Sequence, residues 1–284
     1  MTVEKIYKDL LAALQKNYSI NESICIADMV IENIFGFSKY DRVLNKHKIV
    51  DKSYLHKFHQ IIVALATHKP IQYVLEEAWF CNQQFFVNEH VLIPRAETEE
   101  LIALMETFKP TNESVLDIGT GSGCISIILK NKFPQLNITA IDISAEALMV
   151  AQRNAQNFEA KVNFVQADFL DENCWKNYEQ YDFIVSNPPY VKQSESSTMQ
   201  PNVILFEPHK ALFVPDNDAL IFYKKIALFG RNHLKKKGKI LVEINEAMGI
   251  ETKQLFEQFL YHSSIIKDMQ GKDRFIVCDE NFML

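Results

Sequence analysis

The chain has 284 residues, of which 48% are apolar and 23% charged. This is the balance of a globular protein with a sizeable core, and the length suits one large domain together with a small one. The formal net charge of -6 weighs against an enzyme that wraps duplex nucleic acid, because neutralising phosphates usually takes a basic surplus. A local basic patch can still lie within a negative total, so this class is disfavoured and not excluded.

The five cysteines are scattered and show no CxxC spacing, and the eight histidines form no HxxxH pair. The sequence therefore predicts neither a disulfide framework nor a metal site, and a reducing cytoplasm fits this cysteine usage best. The N-terminus is too polar for a signal peptide, and no apolar run approaches the roughly 18 residues that span a bilayer. We expect a cytoplasmic protein.

The first part of the chain has the periodicity of helices. Apolar residues recur three and four positions apart from residue 2 to about residue 68, and this stretch contains a single glycine, Gly36. Residues 1–75 are predicted to be a small helical domain that recognises a substrate.

The pattern changes after Pro70. Residues 79–93 are rich in aromatic and β-branched side chains with a polar break at Asn88-Glu89, which predicts a hairpin within a linker over 76–95. From residue 96 to residue 284 we expect one α/β domain, because short apolar strands alternate with helical stretches and such alternation is typical of a mostly parallel sheet. The strand candidates are 115–118, 138–143, 162–166, 183–186, 239–244 and 274–278.

A glycine-rich turn follows the first of these strands. The stretch VLDIGTGSGCISI places Gly119, Gly121 and Gly123 after Asp117 and before a helix. Glycines let a backbone turn tightly and bring its N–H groups close to a ligand. The GxGxG spacing differs from the GxGxxG of dinucleotide sites, and no Walker lysine is present, so NAD and ATP are disfavoured. A plain strand–helix turn is the structural alternative.

Acidic residues end the next two strands. Asp142 lies 23 residues after Gly119, where a carboxylate can accept both ribose hydroxyls of a nucleoside. Asp168, in VQADF, can accept from an adenine amino group, and Phe169 can pack on the adenine face. The structural alternatives are a helix cap shared with Ser144 for Asp142 and a surface turn for Asp168. A common crevice at three strand ends favours a nucleoside-type cofactor site.

The tetrapeptide Asn187-Pro188-Pro189-Tyr190 follows another strand and is the most informative stretch. An amide nitrogen is a poor nucleophile, so an enzyme that methylates it must hold its lone pair toward the methyl donor. The side-chain oxygen of Asn187 and the carbonyl of Pro188 can accept the N–H groups, and Tyr190 can stack on the planar acceptor. Two prolines fix the backbone and remove two donors. Catalysis would rest on positioning and electrostatics, and an Asn-Pro-Pro turn is the alternative.

With these motifs the chain resembles the HemK/PrmC family, which methylates a glutamine side-chain amide in peptide-chain release factors. Three departures from the family pattern are Leu75, Ala96 and Met248, and none removes a cofactor or acceptor motif. Beyond DIGTGSG, QADF and NPPYV, the resemblance is carried by VLIPRAETEEL (91–101), FEPHKALF (206–213), GKILVEI (238–244) and KDMQGKDRFIV (267–277).

The resemblance implies a Rossmann-like class I methyltransferase domain with a mostly parallel seven-stranded sheet. It also implies S-adenosyl-L-methionine as cofactor, S-adenosyl-L-homocysteine as product and a class I release factor, modified at its Gly-Gly-Gln motif, as protein partner. Carried over by motif, Asp117 and the loop residues Gly119, Thr120, Gly121, Ser122 and Gly123 cradle the methionine part. Asp142, Asp168, Phe169 and Asn187 complete the cofactor site, while Asn187, Pro188, Pro189, Tyr190 and Leu92 bind the glutamine.

Several alternatives stay open from the sequence. The substrate could be a large-subunit ribosomal protein, or a nucleic acid whose methyltransferases share NPPY, and a non-catalytic binding module is a third class. No added target-recognition domain is evident for a nucleic acid, and intact cofactor motifs disfavour the third class. Arg95, Glu97 and Glu100 could order their loop, meet the protein substrate or simply form a solvated helix start.

Overall fold

The computed structural model describes residues 1–280 and divides the chain into two compact units. The first comprises Met1–Glu76 with Gln200–Phe206, and the second comprises Glu77–Met199 with the residues from Glu207 onward. Within the described residues, no helix is both long and apolar enough to cross a membrane. The α-helices are α1 Val3–Leu14, α2 Ile20–Phe35, α3 Lys39–Leu44, α4 Ser53–Ala66, α5 Ile71–Leu75, α6 Ala96–Thr107, α7 Cys124–Lys132, α8 Ala145–Asn157, α9 Pro201–Phe206, α10 His209–Leu212, α11 Ile221–His233 and α12 Gly249–Gln258.

The first unit is helical because its sequence caps the first three helices with side chains and gives the longer helices an apolar face. Thr2 and Ser19 cap α1 and α2 through their side-chain oxygens, and Ser38 forms a reciprocal capping box with Asp41 at α3. Gly36 ends α2 in the left-handed conformation at φ 66°. The apolar faces meet in one core, so the predicted helical character of this region is confirmed. That core includes Val3, Ile6, Leu10, Leu14, Ala27, Val30, Ile31, Phe58, Ile61 and Leu65.

The second unit is built on a seven-stranded sheet of order β10-β11-β9-β6-β3-β4-β5. Neighbours from β9 to β5 are parallel, whereas β11 runs antiparallel to both β9 and β10. The predicted Rossmann-like, mostly parallel seven-stranded sheet is therefore confirmed. The strands are β1 Glu77–Phe80, β2 Gln83–Phe86, β3 Ser114–Ile118, β4 Asn137–Asp142, β5 Asn163–Gln166, β6 Tyr181–Ser186, β7 Val191–Lys192, β8 Phe213–Val214, β9 Leu234–Glu243, β10 Tyr261–Lys267 and β11 Asp273–Glu280.

Two buried apolar clusters cover the two faces of this sheet, as expected where crossover helices pack on both sides of parallel strands. Each of the six predicted strands matches an observed one to within a few residues. The strand β10 is absent from those six because it is an edge strand whose exposed side carries polar residues such as His262 and Ser264. Its short alternating pattern lacks the continuous apolar run of the central strands.

The hairpin forms earlier in the chain than the sequence suggests. Strands β1 and β2 pair in antiparallel register from Glu77 with Phe86 to Phe80 with Gln83. Their turn is Cys81-Asn82, both at positive φ (50° and 58°), which matches a two-residue turn between twisted strands. The prediction that Asn88-Glu89 forms the turn of the hairpin was wrong, because these residues lie after β2, between the hairpin and α6. A cysteine in a left-handed turn position is uncommon, so the pattern did not reveal it.

Candidate active site

Five parallel strands bring five loops to one edge of the sheet. Since β9, β6, β3, β4 and β5 are consecutive neighbours, the residues at their carboxyl ends line up in that order. Across this edge the chain presents Glu243, Asn187, Gly119, Asp142 and Asp168 in turn. The chain reverses its winding direction on either side of β3, and such a switch point is where open α/β sheets bind ligands.

A cavity of about 690 Å³ opens at this edge. Its volume lies within the range of small-molecule sites, and the loops after four neighbouring strands contribute to its wall. A second wall comes from residues 208–215 and from residues 89–92. Of the residues predicted for the site, the cavity is lined by Leu92, Gly119, Gly121, Asp142, Asp168, Phe169, Asn187, Pro188 and Pro189.

Five further predicted residues are not among those that line the cavity, and their contact with a ligand stays a prediction: Asp117, Thr120, Ser122, Gly123 and Tyr190. Asp117 is fully buried, and its Oδ2 accepts hydrogen bonds from the hydroxyls of Thr120 at 2.7 Å and Ser126 at 2.5 Å. Its Oδ1 has no hydrogen-bond partner within residues 1–280. Burial raises the pKa of Asp117 to about 6, against the lowering effect of the two hydroxyls. Asp117 thus acts from behind the loop.

The glycine loop has the backbone conformation that only glycine adopts without strain. Gly119, Gly121 and Gly123 all have positive φ (75°, 55° and 80°). The N–H of Gly119 donates to the carbonyl of Ile141, which ties the loop to β4. A Cβ on Gly123 would lie 3.0 Å from the Ile127 side chain, so this glycine also permits close packing of α7. The loop is therefore a specific backbone shape and more than a generic turn.

Asp142 joins this loop to the next helix. Its Oδ2 accepts the N–H of Gly121 at 2.9 Å and its Oδ1 accepts the N–H of Ser144 at 2.9 Å. The helix cap of α8 is Ser144, whose hydroxyl oxygen accepts the N–H of Ala147, so Asp142 itself is not the cap. Burial raises the pKa of Asp142, and the backbone N–H bonds oppose that shift. Each carboxylate oxygen keeps a lone pair for a ligand in the cavity.

Asp168 and Phe169 follow β5 and differ in burial. Asp168 is exposed, and its Oδ1 accepts the N–H of Leu170 at 3.0 Å. The Phe169 ring is buried and packs against Trp175 and Phe229, with ring centroids 5.5 and 5.4 Å away. Both residues line the cavity. Asp168 therefore stabilises a surface turn and also faces the space that a ligand would occupy.

Asn187 and Tyr190 are held by Thr98 and Glu243, which are not among the site residues predicted from the sequence. Asn187 Nδ2 donates to Thr98 Oγ1 at 2.9 Å, and the Thr98 hydroxyl donates to Glu243 Oε2 at 2.6 Å. The Tyr190 hydroxyl donates to Glu243 Oε1 at 3.1 Å, and Tyr190 is not among the residues that line the cavity. Its stacking on the acceptor stays a prediction. Burial raises the pKa of Glu243, while hydrogen bonds from Thr98 and Tyr190 lower it. The sequence did contain one indication of Glu243, since a glutamate inside the otherwise apolar strand GKILVEI suggests a buried polar contact.

The segment before α6 is held by an ion pair. Arg95 Nη2 donates to both carboxylate oxygens of the buried Glu207, at 2.7 and 2.9 Å, and the N–H of Ile93 donates to Glu207 Oε2 at 3.3 Å. This ion pair supports loop ordering among the roles that the sequence leaves open for Arg95. Glu100 accepts the N–H of Met269 at 3.1 Å and so ties α6 to the turn after β10. Within residues 1–280, no three His, Cys, Asp or Glu side chains gather so as to hold a metal ion.

Comparison with known proteins places the chain among methyltransferases. Residues 99–213 match the methyltransferase small domain, and residues 6–75 match the PrmC N-terminal domain. The release factor glutamine methyltransferase of Flavobacterium psychrophilum is 37% identical over 97% of this chain and 98% of its own length. The enzyme of the same name from Bacteroides thetaiotaomicron is 39% identical over 94% of this chain and 96% of its own.

A third relative, from Streptococcus pneumoniae and again named release factor glutamine methyltransferase, is 43% identical over 76% of this chain and 77% of its own. Among solved structures, a methyltransferase from Pyrococcus furiosus superposes with a TM-score of 0.51 at 16% identity. That match covers 80% of this chain and 98% of the other, and at such low identity it shows a shared fold only.

Proposed function

Since this chain belongs to the HemK/PrmC family of release factor glutamine methyltransferases, we propose that it methylates the glutamine side-chain amide of a class I release factor at the Gly-Gly-Gln motif. Bound in the cavity, S-adenosyl-L-methionine supplies the methyl group and leaves as S-adenosyl-L-homocysteine. The chain's own residues supply binding, orientation and the exclusion of water. Nucleic acid and ribosomal protein, the alternative substrates, are included in the assay described below.

The residues at the sheet edge fit that cofactor. The positive-φ glycine loop presents backbone without side chains, which suits the close approach of an amino-acid moiety. Asp142 would accept the ribose hydroxyls through the lone pairs its backbone contacts leave free, and Phe169 with Asp168 would hold the adenine. Asp117 would shape the loop from behind it, together with Thr120.

One observation supports the acceptor site above the others: the Asn187 side chain has its nitrogen engaged while the residue lines the cavity. Its Oδ1 is then the free acceptor, beside the cavity-lining Pro188. We propose that Asn187 Oδ1 and the backbone carbonyl oxygen of Pro188 accept the two N–H groups of the substrate amide. Pro189 and Leu92 would form the apolar surroundings of that amide. Two acceptors polarise the N–H bonds and fix the nitrogen lone pair in one direction, so the rate gain comes from orientation and electrostatics.

A parallel methyl-transfer assay tests the function. Purified protein is incubated with labelled cofactor and, separately, a release factor, ribosomal proteins and nucleic acid. We expect label in the release factor only, and none in a release factor whose acceptor glutamine is replaced by alanine. Label in ribosomal protein or nucleic acid, with an unlabelled release factor, would exclude the proposed substrate.

Asp142→Ala tests the cofactor site. Losing a charge-assisted hydrogen bond costs about 1.5–3 kcal/mol, which corresponds to roughly 10- to 150-fold weaker binding. Calorimetric titration with S-adenosyl-L-homocysteine measures this, and Glu179→Ala, an exposed carboxylate away from the cavity wall, is the matched control. Unchanged affinity in Asp142→Ala would remove the residue from the ribose role.

We further propose that the helical segment 1–75 recognises the release factor, that 76–95 is a linker carrying the hairpin, and that 96–284 is the catalytic domain. The match of residues 6–75 to the PrmC N-terminal domain supports the first boundary. Recognition of a folded protein away from the acceptor amide fits the acidic total charge, because no phosphate backbone needs to be neutralised.

A further inference from the structure

A buried polar chain runs behind Asn187 and joins three elements of the second unit. Thr98 lies in the first turn of α6, Glu243 ends β9, and Asn187 and Tyr190 belong to the loop after β6. Ser186 and Val242 are paired in the parallel register of β6 and β9, so the residues that follow them emerge side by side. Thr98 and Glu243 are 3% and 1% exposed, and neither lines the cavity. They therefore act on a bound substrate through the residues they hold, and of these Asn187 lines the cavity.

The direction of each hydrogen bond in this chain follows from chemistry. An ionised carboxylate only accepts, so the single hydroxyl proton of Thr98 is committed to Glu243 at 2.6 Å. The Thr98 oxygen can then only accept, which requires the N–H₂ end of the Asn187 carboxamide to face it at 2.9 Å. The Oδ1 end is forced to the opposite side. The order of donors and acceptors therefore determines which end of the amide a substrate meets.

We propose that Thr98 and Glu243 are positioning residues that fix the Asn187 carboxamide in one of its two orientations, with Oδ1 toward the acceptor amide. The inference rests on the proposed role of Asn187. The two ends of a carboxamide have nearly the same shape, so packing alone does not distinguish them. In the flipped orientation the N–H₂ group would face the N–H₂ group of the substrate, and two donors cannot bond each other. Fixing the orientation removes this unproductive state.

The charge state of Glu243 decides whether the hydrogen bonds from Asn187 to Thr98 and from Thr98 to Glu243 keep their direction. Burial raises the pKa of Glu243, and four groups act on its carboxylate: the Thr98 and Tyr190 hydroxyls donate to it, the Arg274 charge favours its ionised form, and the Glu97 charge opposes it. The Tyr223 hydroxyl donates to the backbone carbonyl of Glu243 at 3.0 Å. Once protonated, Glu243 can donate to Thr98, whose own proton is then free to bond Asn187 Oδ1. We therefore expect kcat to fall on the acid side of the pH profile.

The main test is a pair of substitutions at Thr98 in the full-length protein, measured by single-turnover methylation of release factor at saturating cofactor. Thr98→Val keeps the shape of the side chain but removes its hydrogen bonds to Asn187 and Glu243. We expect the single-turnover rate constant of methyl transfer to fall about 10- to 100-fold with cofactor affinity unchanged. Thr98→Ser keeps the hydroxyl and should restore most of that loss. Thr107→Val, on the same helix with its hydroxyl bonded only to the Leu104 carbonyl, is the matched control.

A second variant keeps the proposal testable if Thr98→Val folds poorly. Glu243→Gln has both a donor and an acceptor, so it leaves the direction of the chain undetermined and cannot titrate. We expect kcat to fall about three- to tenfold at neutral pH and the acid limb of the profile to disappear. Wild-type kcat in Thr98→Val, equal loss in Thr98→Ser, or an unchanged acid limb in Glu243→Gln would each overturn the inference.

Asn187→Ala, measured in the same series, separates this inference from the function on which it rests. If Asn187→Ala is slow and Thr98→Val is fast, only the positioning role fails. If Asn187→Ala itself transfers methyl at the wild-type rate, the proposed acceptor site fails whatever the Thr98 variants do.

Discussion

At the scale of single residues, Asn187 combines a position on the cavity wall with a side chain whose nitrogen is already bonded. Asn187→Ala should leave cofactor binding nearly intact and reduce the methyl-transfer rate by about 10²–10³, the effect of losing one preorganised polar contact in a transition state. Single-turnover methylation and cofactor titration measure the two quantities separately. Equal losses in both would indicate a collapsed site and not a lost acceptor contact.

Asn187→Asp is the sharper variant. A carboxylate keeps an acceptor oxygen for the substrate, but it cannot donate to Thr98, whose own proton is committed to Glu243. The added charge also stabilises the cationic cofactor more than the transition state, in which that charge is dispersing. We expect cofactor binding at least as tight as in the wild type together with a reduced rate. A wild-type rate in both variants would make the NPPY loop a structural turn.

Asp117 should give the protein a measurable pH dependence of stability. Its pKa rises to about 6 in the fold because the carboxyl is buried. A carboxyl with a raised pKa favours the folded state when it is protonated, and this contribution is lost as pH rises through the folded pKa. Relative to Asp117→Asn, the wild type should lose about 2 kcal/mol of unfolding free energy between pH 4.5 and 7.5.

Urea unfolding of both proteins at several pH values measures this difference. Because the difference between the two proteins is followed with pH, any constant effect of the amide cancels. Parallel pH curves for the two proteins would contradict a buried, titrating Asp117.

At the scale of elements, the turn between β3 and α7 contains glycines that differ in their surroundings. A Cβ at Gly121 meets nothing within 4 Å, so Gly121→Ala carries only the cost of a left-handed backbone, about 1–2 kcal/mol. At Gly123 the same backbone cost is joined by contacts at 3.0 and 3.1 Å with Ile127 and Ala151. We expect Gly123→Ala to lower the unfolding free energy by roughly 1–3 kcal/mol more than Gly121→Ala does.

Denaturant unfolding of the two variants checks the difference directly. Since both substitutions add the same methyl group at positive φ, each is the control for the other. A Gly121→Ala variant as unstable as Gly123→Ala would mean that backbone strain alone, and not the packing of α7 on α8, accounts for the cost.

At the scale of the whole molecule, the first unit has an exposed apolar face on α3. Tyr40, Val43 and Leu44 are 84%, 55% and 82% exposed and lie three and four residues apart, which places them on one side of the helix. If this unit recognises the release factor, Tyr40→Ala combined with Leu44→Ala should raise KM for the intact release factor about three- to tenfold. A short glutamine peptide should be methylated as before.

Ile20→Ala is the control, because Ile20 is a similarly exposed apolar residue on α2 of the same unit. Steady-state kinetics with both substrates and thermal unfolding of each variant distinguish recognition from folding. An equal rise in KM for the protein and the peptide would contradict a recognition role for this face.

The sequence by itself determined those features of this protein that depend on local pattern. Alternating strands and helices established the fold class, and six of the seven sheet strands were located because each is a short, mostly apolar run. The glycine loop, Asp142 and the NPPY loop were located because each directly follows such a strand. Since the carboxyl ends of parallel strands share one edge of a sheet, following a strand is enough to predict a common cavity.

The tertiary structure alone decided which polar side chains meet across that edge. Thr98, Asn187 and Glu243 are separated by 89 and 56 positions in the chain, and only the adjacency of β6 and β9 with the start of α6 brings them together. It likewise bonded Asp117 to the Thr120 and Ser126 hydroxyls and Tyr190 to Glu243, and neither residue lines the cavity. Motif membership follows from sequence, whereas the direction of a side chain depends on which neighbours offer it a donor, an acceptor or space.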